Sequence, residues 1–301
     1  MRIIGHEKER QELAKRDGSG IMAQSYLFAG PRGIGKSLCA LEFAANLCGE
    51  SEFVPSPEKP TPYDVKVLRP EETTKQGVTK TKNIPAESVR EALSFLSQYP
   101  ARGAYRVLII EDAHRLSETA QNVLLKTLEE PVSTAVIILV THEVGTLLPT
   151  VLSRVKRAHF NFVPEAILHE DLGKIYPGRD FSAIAPFFFA LGRPGMILSA
   201  IEHQEVFSAD REYLGQLFRL STLSVSERLT LAQQLGNHTE QAIRLLEWWL
   251  PGLYQQAVRI SERKMTLRFF RLLADVEQTM RLLKTTQSNT RLLLEKLFLS
   301  V

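Results

Sequence analysis

Short apolar runs alternate with amphipathic stretches along the first half of the chain. Ser25-Tyr-Leu-Phe-Ala29, Tyr105-Arg-Val-Leu-Ile-Ile110 and Ala135-Val-Ile-Ile-Leu-Val140 are apolar almost throughout, the pattern of strands buried on both faces. Tyr63-Asp-Val-Lys-Val-Leu68 alternates like a strand, and Arg157-Ala-His-Phe160 reads as the last one. Between them lie helical patterns. Lys36–Cys48 places Leu41, Ala44, Ala45 and Cys48 on one side. Ala86 to about Gln98 turns Val89, Leu93 and Leu96 inward. Ser117 caps a helix that runs to Glu130 and stops at Pro131. A short surface helix over residues 6–17 precedes all of these and is broken by Asp17-Gly18-Ser19-Gly20. Residues 49–84 are the least regular part of this half.

Strands that alternate with helices pair in parallel and carry helices on both sheet faces. Residues 1–161 therefore read as a doubly wound α/β domain. After Pro164 the strand signal fades. Residues 162–205 hold short helices and the Gly192-Arg-Pro-Gly195 break, the size of a small helical lid. Residues 206–301 are helical, with Phe269, Leu272, Val276, Met280 and Leu283 in one stripe, as expected of an all-α domain.

The apolar fraction of 44% and charged fraction of 24% are ordinary for a soluble globular chain. A net charge of +3 over 301 residues argues against coating nucleic acid by bulk charge. No apolar run reaches membrane-spanning length, and the polar N-terminus lacks a signal-peptide core. The two cysteines, Cys39 and Cys48, fall in one predicted helix and are expected to pack there rather than form a bridge. Together these features predict a cytoplasmic protein without a membrane partner.

Gly30-Pro31-Arg32-Gly33-Ile34-Gly35-Lys36-Ser37 fits G-x-x-x-x-G-K-[ST], between a predicted strand and a predicted helix. Glycines let successive N–H groups curl around phosphate oxygens, and the helix start adds its positive dipole end. Lys36 would reach the β- and γ-phosphates and the Ser37 hydroxyl would bind Mg²⁺. Glu111 and Asp112 end a second buried strand, facing the crevice where such sheets bind ligands. One of these acids would hold the Mg²⁺ shell and the other would polarise the attacking water.

At these residues the chain resembles the AAA+ clamp-loader subunits. Ile3-Ile4-Gly5-His6 matches their start, and Leu-Leu-Lys-Thr-Leu-Glu-Glu-Pro stands intact at Leu124–Pro131. Their threonine-ending strand and Ser-Arg-Cys segment match Thr141 and Ser153-Arg154-Val155. Asn289-Thr-Arg291-Leu292-Leu-Leu-Glu295 resembles their closing helix. The resemblance is weakest over 49–84 and 205–260. It implies a P-loop domain with ATP or ADP and Mg²⁺, a lid and a C-terminal helical collar. It implies that Arg154 is offered in trans to a neighbour's ATP, with Asp112 and Thr141 as the other catalytic positions. The implied partners are motor subunits and delta in a hetero-pentamer of the DNA polymerase III holoenzyme, with a sliding clamp and primer-template DNA.

Three departures point to the non-motor, delta-prime-type branch. The strand end reads Glu111-Asp112 where motors read Asp-Glu. Gly192-Arg-Pro-Gly195-Met196 puts Arg193 off the motors' sensor position, and their long C-terminal extension is missing. Binding with weak or absent hydrolysis is the expectation. The alternative is an autonomous clamp-loader ATPase motor, favoured by the intact phosphate loop. A plain DNA-binding module is disfavoured by the lack of a basic tail, zinc finger or helix-turn-helix. Relatives bind zinc through four cysteines after the phosphate-loop helix. Only Cys48 stands near there, so no zinc is expected. The seven histidines show no metal-ligand spacing, Trp248 and Trp249 read as packing residues, and Arg268, Arg271, Arg281 and Lys284 as a solvated face.

Overall fold

The structure is a computed structural model, and it describes residues 3–14, 22–50, 52–55, 60–75, 78–182, 192–259, 263–285 and 288–301. The expected break at Asp17–Gly20 lies outside the described residues. The chain forms two compact units, Met1–Gly178 and Arg179–Val301.

The first unit is built on a five-stranded parallel sheet. Its strands are β1 (Ser25–Ala29), β2 (Val65–Leu68), β5 (Arg106–Ile110), β6 (Ala135–Thr141) and β7 (Lys156–His159), in the order β2-β5-β6-β1-β7. Every residue of β1, β5 and β6 is buried, as the apolar runs predict. Alternation sends side chains into two separate layers. Leu27, Ala29, Leu108, Ile110, Ile137 and Leu139 pack against α3 (Ala86–Leu96) and α4 (Glu118–Glu129). Tyr26, Phe28, Val107, Ile109, Val136 and Ile138 face the other layer, with Cys39, Ala40, Phe43 and Ala44 of α2 (Lys36–Leu47). Leu13 of α1 (Glu7–Ala14) joins that second layer.

The structure adds an element to the irregular stretch. Between β2 and α3, the strands β3 (Glu72–Lys75) and β4 (Val78–Thr81) pair antiparallel, with Glu72 opposite Thr81. Their Glu-Thr-Thr-Lys and Val-Thr-Lys-Thr sequences are polar, so periodicity of burial gives no sign of them. The last strand begins one residue earlier than expected, at Lys156. Ser117 caps α4 as predicted, its hydroxyl accepting from the Ala120 N–H at 3.1 Å. After β6 come a short α5 (Pro149–Leu152) and then α6 (Glu165–Ile175) beyond β7.

Among its described residues the second unit's regular elements are all helices. It comprises α7 (Pro194–Glu202), α8 (Gln204–Phe218), α9 (Val225–Gly236), α10 (Thr239–Arg259), α11 (Arg263–Thr285) and α12 (Thr290–Leu299). The predicted break at Gly192–Gly195 corrects to a helix start: Pro194 opens α7 and Gly195 lies within it. Proline suits a first helical turn because that N–H has no intrahelical acceptor. Ser224 and Glu227 form a capping box at α9. α9 packs on α12 and α10 on α11, with Leu272, Val276 and Leu283 buried as the stripe predicts. Trp249 is fully buried. Among the described residues no helix is long and apolar enough to cross a membrane.

One buried charge pair braces the start of the sheet. Asp64, nearly inaccessible, accepts from the Ala101 and Arg102 N–H groups at 2.8 Å and lies 3.5 Å from Arg106 Nε. Burial alone would raise the Asp64 pKa, but the backbone donors and Arg106 outweigh it and hold the carboxyl below its ordinary range. A depressed folded-state pKa contributes stability that is complete above the unfolded value. That stability is lost as pH falls through the folded one. Asp64→Ala leaves the buried Arg106 guanidinium with only neutral acceptors, the Tyr99 and Phe95 carbonyls and Gln98, and is expected to cost about 3 kcal/mol. Denaturant unfolding at pH 7 measures this, and the gap between wild type and variant should shrink in strong acid.

Candidate nucleotide-binding site

Parallel pairing brings the C-terminal ends of β1, β5 and β6 to one edge of the sheet. Ala29 stands opposite Thr141, and Ile110 opposite Leu139. The segments that leave these ends are Gly30–Ser37, Glu111–Asp112 and Thr141–His142. All three line one cleft of about 250 Å³, into which Arg32, Gly33, Gly35, Lys36 and Ser37 project from the loop side. Glu111, Asp112, Thr141 and His142 close it from the strand ends.

Backbone geometry requires glycine at two positions of the loop. Gly30 has φ +152°, and a Cβ there would lie 2.2 Å from the Phe160 carbonyl oxygen. Gly35 is left-handed at φ +101° and is the residue from which α2 starts, so the N–H groups that follow it have no acceptor within the helix. Ile34 is fully buried in the aromatic layer and anchors the loop. Its carbonyl is fixed from the other side by His6 Nε2 at 2.7 Å. Gly30, Pro31 and Ile34 therefore shape the loop without lining the cleft. Lys36 Nζ donates to the Gly30 and Pro31 carbonyls at 2.8 and 2.6 Å, which folds the ammonium back over its own loop.

The acidic strand end departs from the simple expectation in two ways. Both Glu111 oxygens are engaged by Arg69, at 3.0 and 3.2 Å. Asp112 adopts a left-handed backbone, φ +48°, which asparagine and aspartate tolerate best among residues with a Cβ. Its carboxylate lies 4.0 Å from His114 Nδ1 and 3.8 Å from His142 Nδ1. The two imidazoles meet edge to face with centroids 4.2 Å apart. The histidines show no metal-ligand spacing along the sequence, and the structure adds a convergence that the spacing does not reveal. Two of them converge with Asp112 in space although 28 positions separate them in the chain. Burial pushes His142 down to about 4, helped by His114, and burial lowers His114 as well, so both rings are neutral at neutral pH.

Thr141 is buried, and its hydroxyl oxygen accepts from the Glu143 N–H at 3.0 Å. Cys39 and Cys48 are buried between α2 and the sheet. Burial first, then nearby carboxylates, pushes both thiols up to about 12. Arg154 stands apart from the cleft. It forms a 2.7 Å pair with Glu129 and donates to the Thr150 carbonyl and the Ser153 hydroxyl. Gln121, missed in the sequence, ties α4 to the segment that leads to Arg154. It donates to the Leu116 and Thr146 carbonyls and accepts from the Leu148 N–H at 2.7 Å. A polar residue on the buried side of α4 was its only signal.

A family model described as DNA polymerase III, delta subunit, matches residues 5–164, more than half of the chain. The chain belongs to this family. Over 142 residues this delta-family chain is 36% identical to the DNA polymerase III subunit delta' of Pseudomonas aeruginosa, covering 44% of its own length and 41% of that relative. Over 183 residues it is 30% identical to the DNA polymerase III subunit gamma/tau of Mycobacterium bovis, covering 58% of its own length and 30% of the relative. The chain thus spans less than half the length of these curated relatives. Among solved structures it is similar to a DNA polymerase III gamma subunit-related protein of Thermotoga maritima, with a TM-score of 0.57 at 23% identity over 97% of both chains. That likeness is one of fold, and it extends over both units.

Gly30→Ala tests whether the close approach to Phe160 matters. A side chain at this backbone is expected to cost about 1–3 kcal/mol, read as a lower denaturation midpoint. The same change at Gly145, where a Cβ meets nothing within 4 Å, should cost much less.

Proposed function

We propose that this delta-family chain is a delta-prime-type clamp-loader subunit. It binds ATP or ADP with Mg²⁺ through Gly30–Ser37 and supplies Arg154 in trans to the nucleotide of a neighbouring motor subunit. It acts in a hetero-pentamer with motor subunits and delta that loads the sliding clamp onto primed DNA. In this reading residues 162–205 serve as the lid and 206–301 as the collar. One observation carries it: the loop, the strand-end acids and Thr141 converge on a single cleft in a chain of this family.

The cleft's donors suit a polyphosphate. The N–H groups at the start of α2, which have no acceptor within the helix, and the dipole of that helix favour an anion. Lys36 sits on neutral carbonyls, and charged phosphate oxygens are stronger acceptors than these. Ser37 and Glu111 are the residues that would hold Mg²⁺, which supplies charge neutralisation at the phosphates. Glu111 would have to give up part of its contact with Arg69 to do so. That competition, with Asp112 set among imidazoles, supports slow intrinsic hydrolysis.

Arg154 is half-exposed and its pair with Glu129 is a surface pair, worth about 0–1 kcal/mol. A neighbour's triphosphate carries more charge than one carboxylate, so transfer of Arg154 to it is favourable. The second reading, an autonomous motor, is favoured by the intact phosphate loop, which a purely structural subunit would not need.

Two variants separate these readings. Hydrogen bonds to charged groups contribute about 1.5–3 kcal/mol, so Lys36→Ala should weaken nucleotide binding by roughly tenfold or more. Calorimetric titration of the chain with Mg-nucleotide reads this. Arginine fingers contribute about 10³-fold or more to turnover. Arg154→Ala should remove most of the rise in ATP turnover that the chain gives motor subunits with clamp and primed DNA, while assembly by gel filtration persists. Fast turnover by the chain alone, abolished by Lys36→Ala, would favour the motor.

A further inference from the structure

We propose that Asp112, His114 and His142 form a binding site for one divalent transition-metal ion of zinc-like chemistry. Their candidate donor atoms all lie within 4.8 Å of one another. Both rings turn Nδ1 toward the same oxygen, Asp112 Oδ1, at 4.0 and 3.8 Å. Three donors on a tetrahedral ion with bonds of about 2.0–2.1 Å sit about 3.3 Å apart. The two histidine-to-Asp112 spacings are therefore wider than a loaded site by about 0.5–0.7 Å, and the spacing between the rings' donors by at most about 1.5 Å, which side-chain rotations can close.

A second observation points to a ligand independently of the clustering. The His114 side chain is only 7% exposed, and its Nδ1 is buried without a hydrogen-bond partner. A buried ring nitrogen in that state has lost its hydration and received nothing in exchange. The Asp112 carboxylate lies 4.0 Å from it, and an ion placed between them satisfies both groups.

The surroundings have the features that orient imidazole ligands. His142 offers Nδ1 to the cluster while its Nε2 faces Glu143 Oε1 at 3.5 Å. A carboxylate on the far nitrogen fixes the tautomer and the ring orientation of a metal-bound histidine. Paired imidazoles favour zinc, nickel, cobalt or copper over magnesium, whose preferred ligands are oxygens. Three protein donors leave a fourth position, and Asp112 and His142 both line the cleft from which an exchangeable ligand would come. The donor set uses none of the thiols, since Cys39 and Cys48 are buried elsewhere with protonated sulfurs. It also requires no nucleotide.

The test is titration of the full nucleotide-free chain with Zn²⁺ by calorimetry and with Co²⁺ by visible absorption. Wild type should bind one equivalent saturably, and bound Co²⁺ should show ligand-field bands without thiolate charge transfer. His142→Gln and His114→Ala should each abolish or strongly weaken binding, and Glu143→Ala should weaken it by about tenfold. Circular dichroism confirms that each variant is folded. His142 is the more exposed ring, so His142→Gln decides the matter if His114→Ala does not fold. A Cys39→Ser, Cys48→Ser double variant should bind as wild type does. No saturable binding by wild type, undiminished binding by folded His142→Gln, or loss in the cysteine variant would overturn the proposal.

Discussion

The parallel pairing of β1 between β6 and β7 is the constraint on which the rest depends. Its register aligns Ala29 with both Thr141 and His159. Each partner strand then delivers its next residues to the same edge. The register is fixed by two chemically different layers. Tyr26 and Phe28 stack with Phe43 and Phe160, while Leu27 and Ala29 pack among aliphatic side chains. A slip of one residue would push aromatic rings into the aliphatic layer and small side chains into the aromatic one. The loop would move with it, because Gly30 is seated directly against Phe160. Core packing and cleft geometry are thus two consequences of one alignment.

Three cations of the cleft and its surroundings are held by modest local partners. Lys36 rests on two carbonyls, Arg69 on Glu111 and Arg154 on Glu129. None of these contacts is a fully buried ion pair of the Asp64–Arg106 kind, which would cost several kcal/mol to open. They keep flexible side chains in place while leaving them exchangeable. Asp64 and Arg106 lie at the opposite end of the strands, where rigidity serves the sheet.

The sheet, its order of strands and helices and its two layers were legible because burial on both faces writes continuous apolar runs. The phosphate loop was legible because its spacing is dictated by backbone geometry. The β3–β4 hairpin was not, since a polar two-stranded ribbon carries no burial signal. Arg69 and Gln121 were also out of reach, because both act through contacts with residues distant in the chain. The Asp112–His114–His142 cluster was missed for a related reason. Linear ligand spacing looks for neighbours on one element, whereas this group assembles across adjacent strands β5 and β6. The signal was present in topology: His142 follows the end of β6 as Asp112 follows the end of β5, and adjacent parallel strands bring such positions together.

Reversing an acid pair at a strand end does more than exchange two similar side chains. Glu111 is the longer of the two and bends onto Arg69 with both oxygens. Asp112 follows a left-handed turn and ends among two neutral imidazoles with its carboxylate near both. A carboxylate that polarises water needs an unengaged oxygen: both Glu111 oxygens are taken up by Arg69, whereas Asp112 lines the cleft with its carboxylate 4.0 and 3.8 Å from the two rings, beyond hydrogen-bonding distance. Occupation of the histidine cluster by a metal ion would tie Asp112 further, and leaving it empty does not release Glu111. The exchanged order sets the longer acid on an arginine and the shorter one beside two histidines, at the edge of the same cleft.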